Sequence, residues 1–174
     1  MERADAGEPV AGMNLHERVE KIYVAERENV YSYLLYLGVP AHRAQELAQD
    51  AFLKLYLKMS KGEDIGDPRA WLYRVVHNLA RRFHRREPVF DEIGPHMESL
   101  QTWTDPAGAL IEKERRLNLA RAILDLSPQQ RNCLHLRSQG LRYRDIAKTI
   151  GISSSAVGEF LRRAVVRLKE AVGG

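Results

Sequence analysis

The sequence predicts an all-α protein built from two small helical domains joined by a polar linker. Apolar residues recur at three- and four-residue steps through most of the 174 residues, which is the period of an amphipathic helix. No stretch shows the sustained two-residue alternation of a half-buried strand. Between residues 87 and 106 the periodicity is lost and proline, glycine and acidic residues accumulate, a composition typical of a linker. Each lobe is short, so its three or four helices have to share one apolar core.

The predicted N-terminal domain covers residues 14–86 and follows a tail, residues 1–13, that we expect to be flexible. Its first helix spans about residues 14–37 and ends at Gly38. The second begins at Pro40, because the first turn of a helix tolerates a missing N–H. Asp67 as N-cap and Pro68 in the first turn start a third helix that continues to residue 86. The predicted apolar stripes of the three helices are Val19, Ile22, Tyr23, Val30, Leu34 and Leu37; Ala44, Leu47, Ala48, Ala51, Phe52 and Leu55; and Trp71, Leu72, Val75, Val76, Leu79 and Phe83.

The predicted C-terminal domain covers residues 107–174 and contains four helices. The first runs over about residues 107–125, and Ser127 followed by Pro128 caps a second that reaches about Ser138. Gly140 ends this second helix, and a short helix over about residues 143–150 precedes the closing helix that starts at Ser153.

Composition and charge exclude several classes of protein. The single cysteine, Cys133, has no partner for an internal disulfide or for a zinc cluster, and its apolar neighbours indicate a buried structural thiol. No apolar run approaches the roughly 20 residues needed to span a bilayer, and the N-terminus lacks the apolar core of a signal peptide. We therefore expect a cytosolic protein that is not inserted into a membrane.

The third helix carries an unusual charge pattern. From Arg69 to Arg86 it contains six arginines, two histidines and no acidic residue. A run of one sign repels itself unless something negative binds it, which favours a polyanion partner over a merely solvated surface. Five of its polar residues fall at three- and four-residue steps and are expected to share one face: Arg74, His77, Asn78, Arg81 and Arg85. The Asn78 amide offers a donor and an acceptor to a base edge, although an ordinary surface amide explains it equally well at this stage.

The stretch "LRYRDIAKTIGISSSAVGEFLRRAVVRL" fits a helix–turn–helix. Gly151 allows the tight turn, Ile152 fills it and Ser153 caps the second helix. The inner faces are Ile146, Ala147 and Ile150 on the first helix, and Val157, Leu161, Ala164 and Leu168 on the second. The positions that would face DNA are Ser154, Ser155, Gly158 and Glu159, followed one turn later by Arg162 and Arg163, which suit phosphates better than base edges.

Three blocks in this order resemble the extracytoplasmic-function group of bacterial RNA polymerase sigma factors, from about residue 20 onward. "AQELAQDAFLKLY" resembles the segment of sigma region two that grips the polymerase clamp helices. "DPRAWLYRVVHNLARRFHRR" is similar to the helix for promoter melting and −10 recognition, and "LSPQQRNCLHLRSQGLRYRDIAKTIGISSSAVGEFLRRA" resembles region four, which binds the −35 element.

The resemblance implies a role for each set of residues. Residues 14–86 correspond to region two and residues 107–174 to region four, and the loop from Lys58 to Gly66 corresponds to one that holds a flipped non-template base. It implies no cofactor and no catalytic group, since the polymerase supplies the chemistry, and it implies core RNA polymerase, promoter DNA and an anti-sigma factor as partners. The implied contacts are Glu46, Gln49 and Asp50 with the polymerase; Arg74, His77, Asn78, Arg81, Arg82 and Arg85 with the −10 element; and Ser154, Ser155, Gly158, Glu159, Arg162 and Arg163 with the −35 element.

The sequence departs from the family pattern in two places. Arg43 and Gln45 replace acids that usually precede the leucine of the polymerase-binding segment. Gly158 stands where a basic residue is common, and Glu159 stands where small or polar residues are common. The promoter sequence of better-known relatives therefore does not transfer to this chain.

The sequence also admits two other classes of function. A conventional helix–turn–helix regulator would bind duplex DNA without core polymerase, and it would leave the block "WLYRVVHN" unexplained. A hydrolase using His77, His84 or His135 has no nucleophile–base arrangement and no metal-ligand spacing in the sequence. The sequence therefore favours a sigma factor, a non-enzymatic protein whose polar linker allows the two lobes to rearrange.

Overall fold

The computed structural model of the chain describes residues 12–87 and 110–173. Within these ranges every regular element is an α-helix, which confirms the predicted all-α class. None of these helices is long and apolar enough to cross a membrane. In chain order the helices are α1 (Leu15–Tyr36), α2 (Ala41–Ser60), α3 (Pro68–Arg86), α4 (Leu110–Leu124), α5 (Pro128–Ser138), α6 (Tyr143–Ile150) and α7 (Ser154–Gly173).

The predicted N-caps are confirmed. The carboxylate of Asp67 accepts a hydrogen bond of 2.9 Å from the backbone N–H of Arg69 at the start of α3. The hydroxyl of Ser127 accepts from the N–H of Gln130, whose side chain accepts from the Ser127 N–H in return, so a capping box begins α5. Ser153 accepts from the backbone of residue 156 at the start of α7. Each cap satisfies N–H groups that a helix leaves unpaired at its first turn.

Helices α1, α5 and α6 end in the same way. Each is followed by a glycine with a left-handed φ, at Gly38, Gly140 and Gly151, where a side chain would be strained. The next residue is apolar and returns its N–H to a carbonyl in the last turn of the helix, the arrangement of a Schellman motif. These bonds join Val39 N to Leu34 O (3.0 Å), Leu141 N to Leu136 O (3.2 Å) and Ile152 N to Ala147 O (3.1 Å).

The N-terminal lobe buries one face of each of its three helices. The fully buried side chains include Leu34 on α1, Leu55 on α2 and Val76 on α3, so the predicted stripes identify most of this core. Tyr23 is an exception, because 41% of its surface is exposed. It lies at the rim of α1 and α2 with its ring edge-on to Phe52 at 4.9 Å, and its prediction as a core residue is wrong.

The C-terminal lobe packs α4, α5 and α6 around α7. Cys133, Leu136, Ile146 and Val157 have no exposed surface, and burial raises the pKa of the Cys133 thiol to about 11. This confirms the interpretation of Cys133 as a buried structural thiol.

The two lobes contact each other directly. The imidazole of His135 on α5 stacks on two rings of α1, with ring centroids 4.5 Å from Tyr36 and 5.1 Å from Tyr33. One continuous apolar core runs through residues of both lobes. The predicted linker lies outside the described residues except for Glu87, so the expectation that the lobes rearrange stays a prediction.

A buried ion pair sits at the edge of this contact. Glu26 of α1 is 7% exposed, and its carboxylate accepts a hydrogen bond of 2.5 Å from Nε of Arg69 on α3 and one of 3.2 Å from the Tyr73 hydroxyl. The same guanidinium donates to the backbone carbonyl of Gln139, and the Tyr73 hydroxyl lies 3.4 Å from the Gln139 side-chain oxygen. A charge buried in this way is tolerated because it is both paired and hydrogen-bonded.

We predict that stability falls in mild acid because of two histidines, His77, which is buried, and His135, which is half-buried at the contact between the lobes. Burial lowers the pKa of His77 to about 4, with Arg81 acting in the same direction, and burial lowers the pKa of His135 to about 4. An unfolded chain takes up these protons near pH 6.5 whereas the native state does not, so the free energy of unfolding falls as the pH drops from about 6.5 toward 4, by on the order of 3 kcal/mol per histidine at most. Urea titrations at several pH values measure the loss.

The double variant His77→Gln, His135→Gln provides the comparison, and His42→Gln is the matched control because His42 is exposed on α2. We expect a flatter pH profile for the double variant and an unaltered one for the control. A double variant as sensitive to acid as the wild-type protein would contradict this explanation.

Candidate nucleic-acid and polymerase interface

The exposed side of α3 presents a set of arginines beside one amide. Arg81, Arg82 and Arg85 are exposed, and Asn78 is exposed on the same helix. Within the described part of the chain these three arginines form no ion pair. Asn78, Arg81 and Arg85 of the predicted face are therefore exposed together, and this positive surface suits the phosphates of a nucleic acid.

His77 does not share that exposed face, so this part of the prediction is wrong. Its side chain is 7% exposed, and Nδ1 is 2.9 Å from the hydroxyl of Tyr33 on α1. The position lies one helical turn from Arg81 but on the side of α3 that turns toward α1, where the tyrosine satisfies it. Sequence spacing alone placed His77 on the arginine face because residues 74, 77, 78 and 81 lie within one broad sector of a helix.

Arg74 occupies a third environment. It is half-buried and lines a cavity between the two lobes. Arg144 and Lys148 of α6 line the same cavity. The loop residues Ile65 and Gly66 reach the same cavity. The structure thus separates Arg74 from the open surface of Arg81 and Arg85.

The loop from Lys58 to Gly66 is held by its own polar contacts. Lys58 and Glu63 form an ion pair across it, and the Gly66 N–H donates a hydrogen bond of 2.9 Å to the Asp64 carboxylate. Gly62 and Gly66 both have left-handed φ values. These features shape a turn that delivers the chain to the Asp67 cap of α3.

The residues predicted to bind polymerase lie on α2. The Glu46 carboxylate receives a hydrogen bond of 2.5 Å from Arg43, and Asp50 is 3.8 Å from the Lys54 ammonium. Gln49 is exposed. Arg43, the residue that departs from the family pattern, also lies 3.4 Å from Glu87, so it partly neutralises the acid next to it.

An exposed apolar patch continues this face and was missed by the sequence analysis. Leu53 is 56% exposed and Leu57 is 49% exposed. Residues 46, 49, 50, 53 and 57 recur at three- and four-residue steps, so the polar positions and the leucines form one stripe. Extending the polar stripe by two further turns would have revealed it. Large exposed apolar side chains grouped in this way mark a protein interface.

The helix–turn–helix has the predicted construction. Val157 and Leu161 of α7 are buried against α5 and α6, and Ser154 and Ser155 are exposed at the start of the helix. The Tyr143 ring of α6 lies over Gly158, where an added Cβ would be 3.6 Å from Cε2 of that ring. This is an ordinary van der Waals distance, so the structure has room for a methyl group at Gly158.

Glu159 is not a free carboxylate. It accepts two hydrogen bonds from Arg162, at 2.9 and 3.1 Å, and one of 2.7 Å from Arg163. Hydrogen bonds from Arg162 and then Arg163 lower the pKa of Glu159 to about 2. The three side chains therefore form a compact exposed cluster with a net positive charge, which reduces the repulsion that a lone carboxylate would feel near phosphates.

We predict that Gly158→Ala stabilises the protein. Alanine is favoured over glycine in a helix interior by about 1 kcal/mol, and the new methyl group would meet the Tyr143 ring without a clash. The free energy of unfolding in urea should rise by up to this amount. Gly151→Ala is the matched control and should be destabilised, because φ is +76° at Gly151. A loss of stability in Gly158→Ala would show that the Tyr143 ring needs the space that the glycine leaves free.

Comparisons with known proteins agree on one family. The model for sigma-70 region 2 matches residues 22–88, and the model for sigma-70 region 4 matches residues 116–168. The chain is 30% identical over 162 residues to RNA polymerase sigma factor YlaC of Bacillus subtilis (strain 168), covering 91% of this chain and 94% of that protein. It is 27% identical to ECF RNA polymerase sigma factor BldN of Streptomyces coelicolor, covering 95% of this chain and 61% of that longer protein.

The fold is similar to that of a solved sigma factor. The structure of RpoE in complex with the anti-sigma factor NepR from Bartonella quintana superposes with a TM-score of 0.59, at 22% identity, over 90% of this chain and 98% of that chain. At this identity the likeness supports the two-lobed helical fold and not the roles of individual residues.

Proposed function

The chain belongs to the extracytoplasmic-function group of RNA polymerase sigma factors, and on that premise we propose how its surfaces divide the work of promoter recognition. The N-terminal lobe binds core RNA polymerase through α2 and opens the −10 element with α3, and the C-terminal lobe reads the −35 element with α7. The observation that carries the proposal is the exposed arginine surface of α3, which has no carboxylate partner in residues 12–87 and 110–173, beside the exposed amide of Asn78.

The arginines of α3 supply affinity and Asn78 supplies selectivity. Arg81, Arg82 and Arg85 are exposed without carboxylate partners in the described residues, so phosphate contacts replace their hydration and release counterions. Such contacts carry no sequence information. The amide of Asn78 can donate to and accept from one base edge. Asn78 is therefore the residue on this face that we assign to base recognition.

Strand opening has to be driven by binding energy, because a sigma factor catalyses no chemical step. Unstacking a base requires a few kcal/mol, which stacking and hydrogen bonds in a protein site return. We assign this site to the surface between the Lys58–Gly66 loop and the start of α3. Trp71 is only partly buried there and lies with Ile65 and Gly66 at the cavity described above, so an aromatic face is available beside the loop.

The polymerase surface combines a few polar groups with the apolar patch. Glu46, Gln49 and Asp50 lie on the same stripe of α2 as Leu53 and Leu57. An interface of this kind gains most of its affinity from the buried apolar centre, whereas its polar rim sets orientation. The acids that the family usually has near positions 43 and 45 therefore matter less for polymerase binding in this chain. Leu53 and Leu57 contribute buried apolar area to the interface, which acidic side chains do not.

The recognition helix reads DNA with short side chains. Ser154 and Ser155 let the backbone of α7 approach the major groove, and Glu159 can accept a hydrogen bond from cytosine N4. Arg162 and Arg163 hold the carboxylate while offering their remaining N–H groups to phosphates. This arrangement fits a helix in which few base contacts and DNA shape share the specificity.

We also propose an anti-sigma partner and a cytoplasmic location. The solved relative RpoE was crystallised with an anti-sigma factor. A partner of this kind could block this chain by covering the exposed surfaces that we assign to DNA and to polymerase. The location follows from the proposed partner, since core RNA polymerase acts on cytoplasmic DNA.

We predict that the purified chain with core RNA polymerase directs run-off transcription from a specific set of promoters. Arg81→Ala together with Arg85→Ala should weaken promoter binding broadly and reduce the salt slope of log K by about two, because about 0.9 counterions are released per phosphate contact on duplex DNA. Transcripts from a genomic library and filter binding at several salt concentrations measure the two effects.

Arg18→Ala is a matched control for the double variant, since Arg18 is an exposed arginine of α1 outside the proposed surface. It should leave the slope unchanged. Specific binding of duplex promoter DNA without any response to core polymerase would identify a conventional helix–turn–helix regulator instead. An unchanged slope in the double variant would mean that the two arginines only face solvent.

We further predict that Glu159→Ala alters the preferred −35 sequence at one position. Arg162→Ala should instead weaken binding to all sequences alike, because Arg163 still holds the Glu159 carboxylate. A good base contact discriminates by about 1–3 kcal/mol, while a phosphate contact does not discriminate. Selection from a randomised −35 duplex library separates the two outcomes. The same selected sequence for Glu159→Ala and the wild-type protein would assign the specificity to DNA shape and backbone contacts.

A further inference from the structure

A tyrosine of α6 covers Gly158 on the recognition helix α7. A Cβ placed at Gly158 would lie 3.6 Å from Cε2 and 3.9 Å from Cδ2 of the Tyr143 ring, and within the described residues it would meet nothing else within 4 Å beyond its own helix. Tyr143 is itself 45% exposed. Its ring thus fills the space above a position that has no side chain and still presents much of its surface to solvent.

Position 158 lies within the surface that we assign to the −35 element. It follows the exposed Ser154 by one helical turn and directly precedes Glu159, the proposed partner of cytosine. A side chain that covers position 158 from outside therefore stands between α7 and the DNA. This placement rests on the proposed function, since it uses the assignment of α7 to the −35 element.

The Tyr143 ring is held in its orientation by contacts within the lobe. The guanidinium carbon of Arg137 lies 5.5 Å from the ring centroid, within the range of a cation–π contact. Nη1 of Arg137 donates a hydrogen bond of 3.0 Å to the backbone carbonyl of Leu141, which anchors the guanidinium beside the turn that precedes α6. A ring that is already fixed in this way loses little side-chain entropy when it binds.

The chemistry of the ring limits what it can recognise. Base edges in the major groove carry hydrogen-bond donors and acceptors, and the methyl group among them is the C5-methyl of thymine. The ring carbons of Tyr143 offer no conventional hydrogen bond, so an apolar contact with that methyl group is their favourable match. The nearby phosphates have other partners, because Arg137 and Arg142 are exposed and form no ion pair in residues 12–87 and 110–173.

We propose that Tyr143 is a specificity-determining residue of the −35 interface and that its ring contacts the C5-methyl group of one thymine. Gly158 leaves the space in which the ring lies, and Arg137 is a positioning residue that fixes the ring. Sequence recognition is then shared by two helices, α6 through Tyr143 and α7 through its serines and Glu159.

This assignment accounts for the short side chains at the front of α7. Ser154, Ser155 and Gly158 reach only a short way from the helix. A longer side chain at position 158 would compete with the ring for the same space, since even its Cβ would contact Cε2 of Tyr143. The chain thus has an aromatic side chain from α6 where the family commonly has a basic one from α7.

Removal of the thymine methyl group tests the contact directly. In a promoter that the holoenzyme uses, the −35 element is randomised and the preferred sequence selected, and each thymine of either strand is then replaced in turn by deoxyuridine, which lacks only the methyl group. We expect one position at which deoxyuridine weakens promoter binding about threefold to fivefold, the effect of burying one methyl group. In Tyr143→Ala this factor should fall to about one, because the partner of the methyl group is gone. Tyr143→Phe keeps the ring and should retain the factor.

The controls separate a base contact from other roles. The factor is a ratio of two affinities measured on one sample, so partial unfolding of Tyr143→Ala leaves it unaltered. Tyr23→Ala is the matched control and should retain the factor, because Tyr23 is a tyrosine of similar exposure, 41%, on α1. An equal loss of affinity for all sequences in Tyr143→Ala, with the methyl dependence unchanged, would make Tyr143 a phosphate contact and overturn the proposal.

Two further outcomes are decisive. A selected −35 element in which no thymine methyl group affects binding would also overturn the proposal. A wild-type holoenzyme that uses no promoter and selects no −35 sequence would instead contradict the proposed function.

A cross-linking measurement checks the same contact in the wild-type protein. 5-Iododeoxyuridine carries iodine in place of the thymine methyl group and, on irradiation, forms a cross-link with a side chain that it touches. At the methyl-dependent position it should link to the peptide that contains Tyr143, as identified by mass spectrometry, and at the other −35 thymines it should not. Absence of a link to Tyr143 at the methyl-dependent position would overturn the proposal.

Discussion

The ion pair between Glu26 and Arg69 is the interaction on which the arrangement of the molecule depends. Helix α3 carries six arginines and no acid, so it cannot neutralise its own charge. At its N-terminal end, a buried carboxylate from α1 supplies the counter-charge and fixes Arg69 at the same time. The remaining guanidinium N–H is then presented to the C-terminal lobe at Gln139. Breaking such a buried pair would leave a charge uncompensated, and both the N-terminal core and the contact between lobes would be affected.

The C-terminal end of α3 leaves its positive charge exposed. Arg81, Arg82 and Arg85 have no carboxylate within the described residues and stay exposed, so their charge is left for an external polyanion. The N-terminal end of α3 therefore has its charge paired within the protein, whereas the C-terminal end has exposed arginines, the surface that we propose for DNA. His77 lies between the two ends, where it is buried and contacts the Tyr33 hydroxyl.

Much of the fold could be predicted because local chemistry determines helix ends. Asp67, Ser127 and Ser153 cap helices as their side chains require, and Gly38, Gly140 and Gly151 end helices where a left-handed φ is needed. Arg81 and Arg85 on α3 and the serines on α7 could likewise be assigned to exposed faces. Tyr23 and His77 were placed wrongly because helical spacing identifies a sector of about a third of the circumference, and only the neighbouring helix decides which edge of that sector is covered. Leu53 and Leu57 lie on an extension of the polar stripe of α2, and the structure adds that nothing within the described residues covers them.

By itself, the sequence determined the helical class, the order of the elements, the caps and the family to which the chain belongs, because each depends on neighbours within a few residues or on motifs read in order. Only the tertiary structure decided how the charges are used. The pairing of Glu26 with Arg69 joins residues 43 positions apart in the chain, and the stack of His135 on Tyr36 joins residues 99 positions apart. The cavity that Arg74 and Arg144 line together joins residues 70 positions apart. Contacts at such separations depend on how two lobes meet, and that geometry is set by packing and electrostatics across the whole molecule and not by any local pattern.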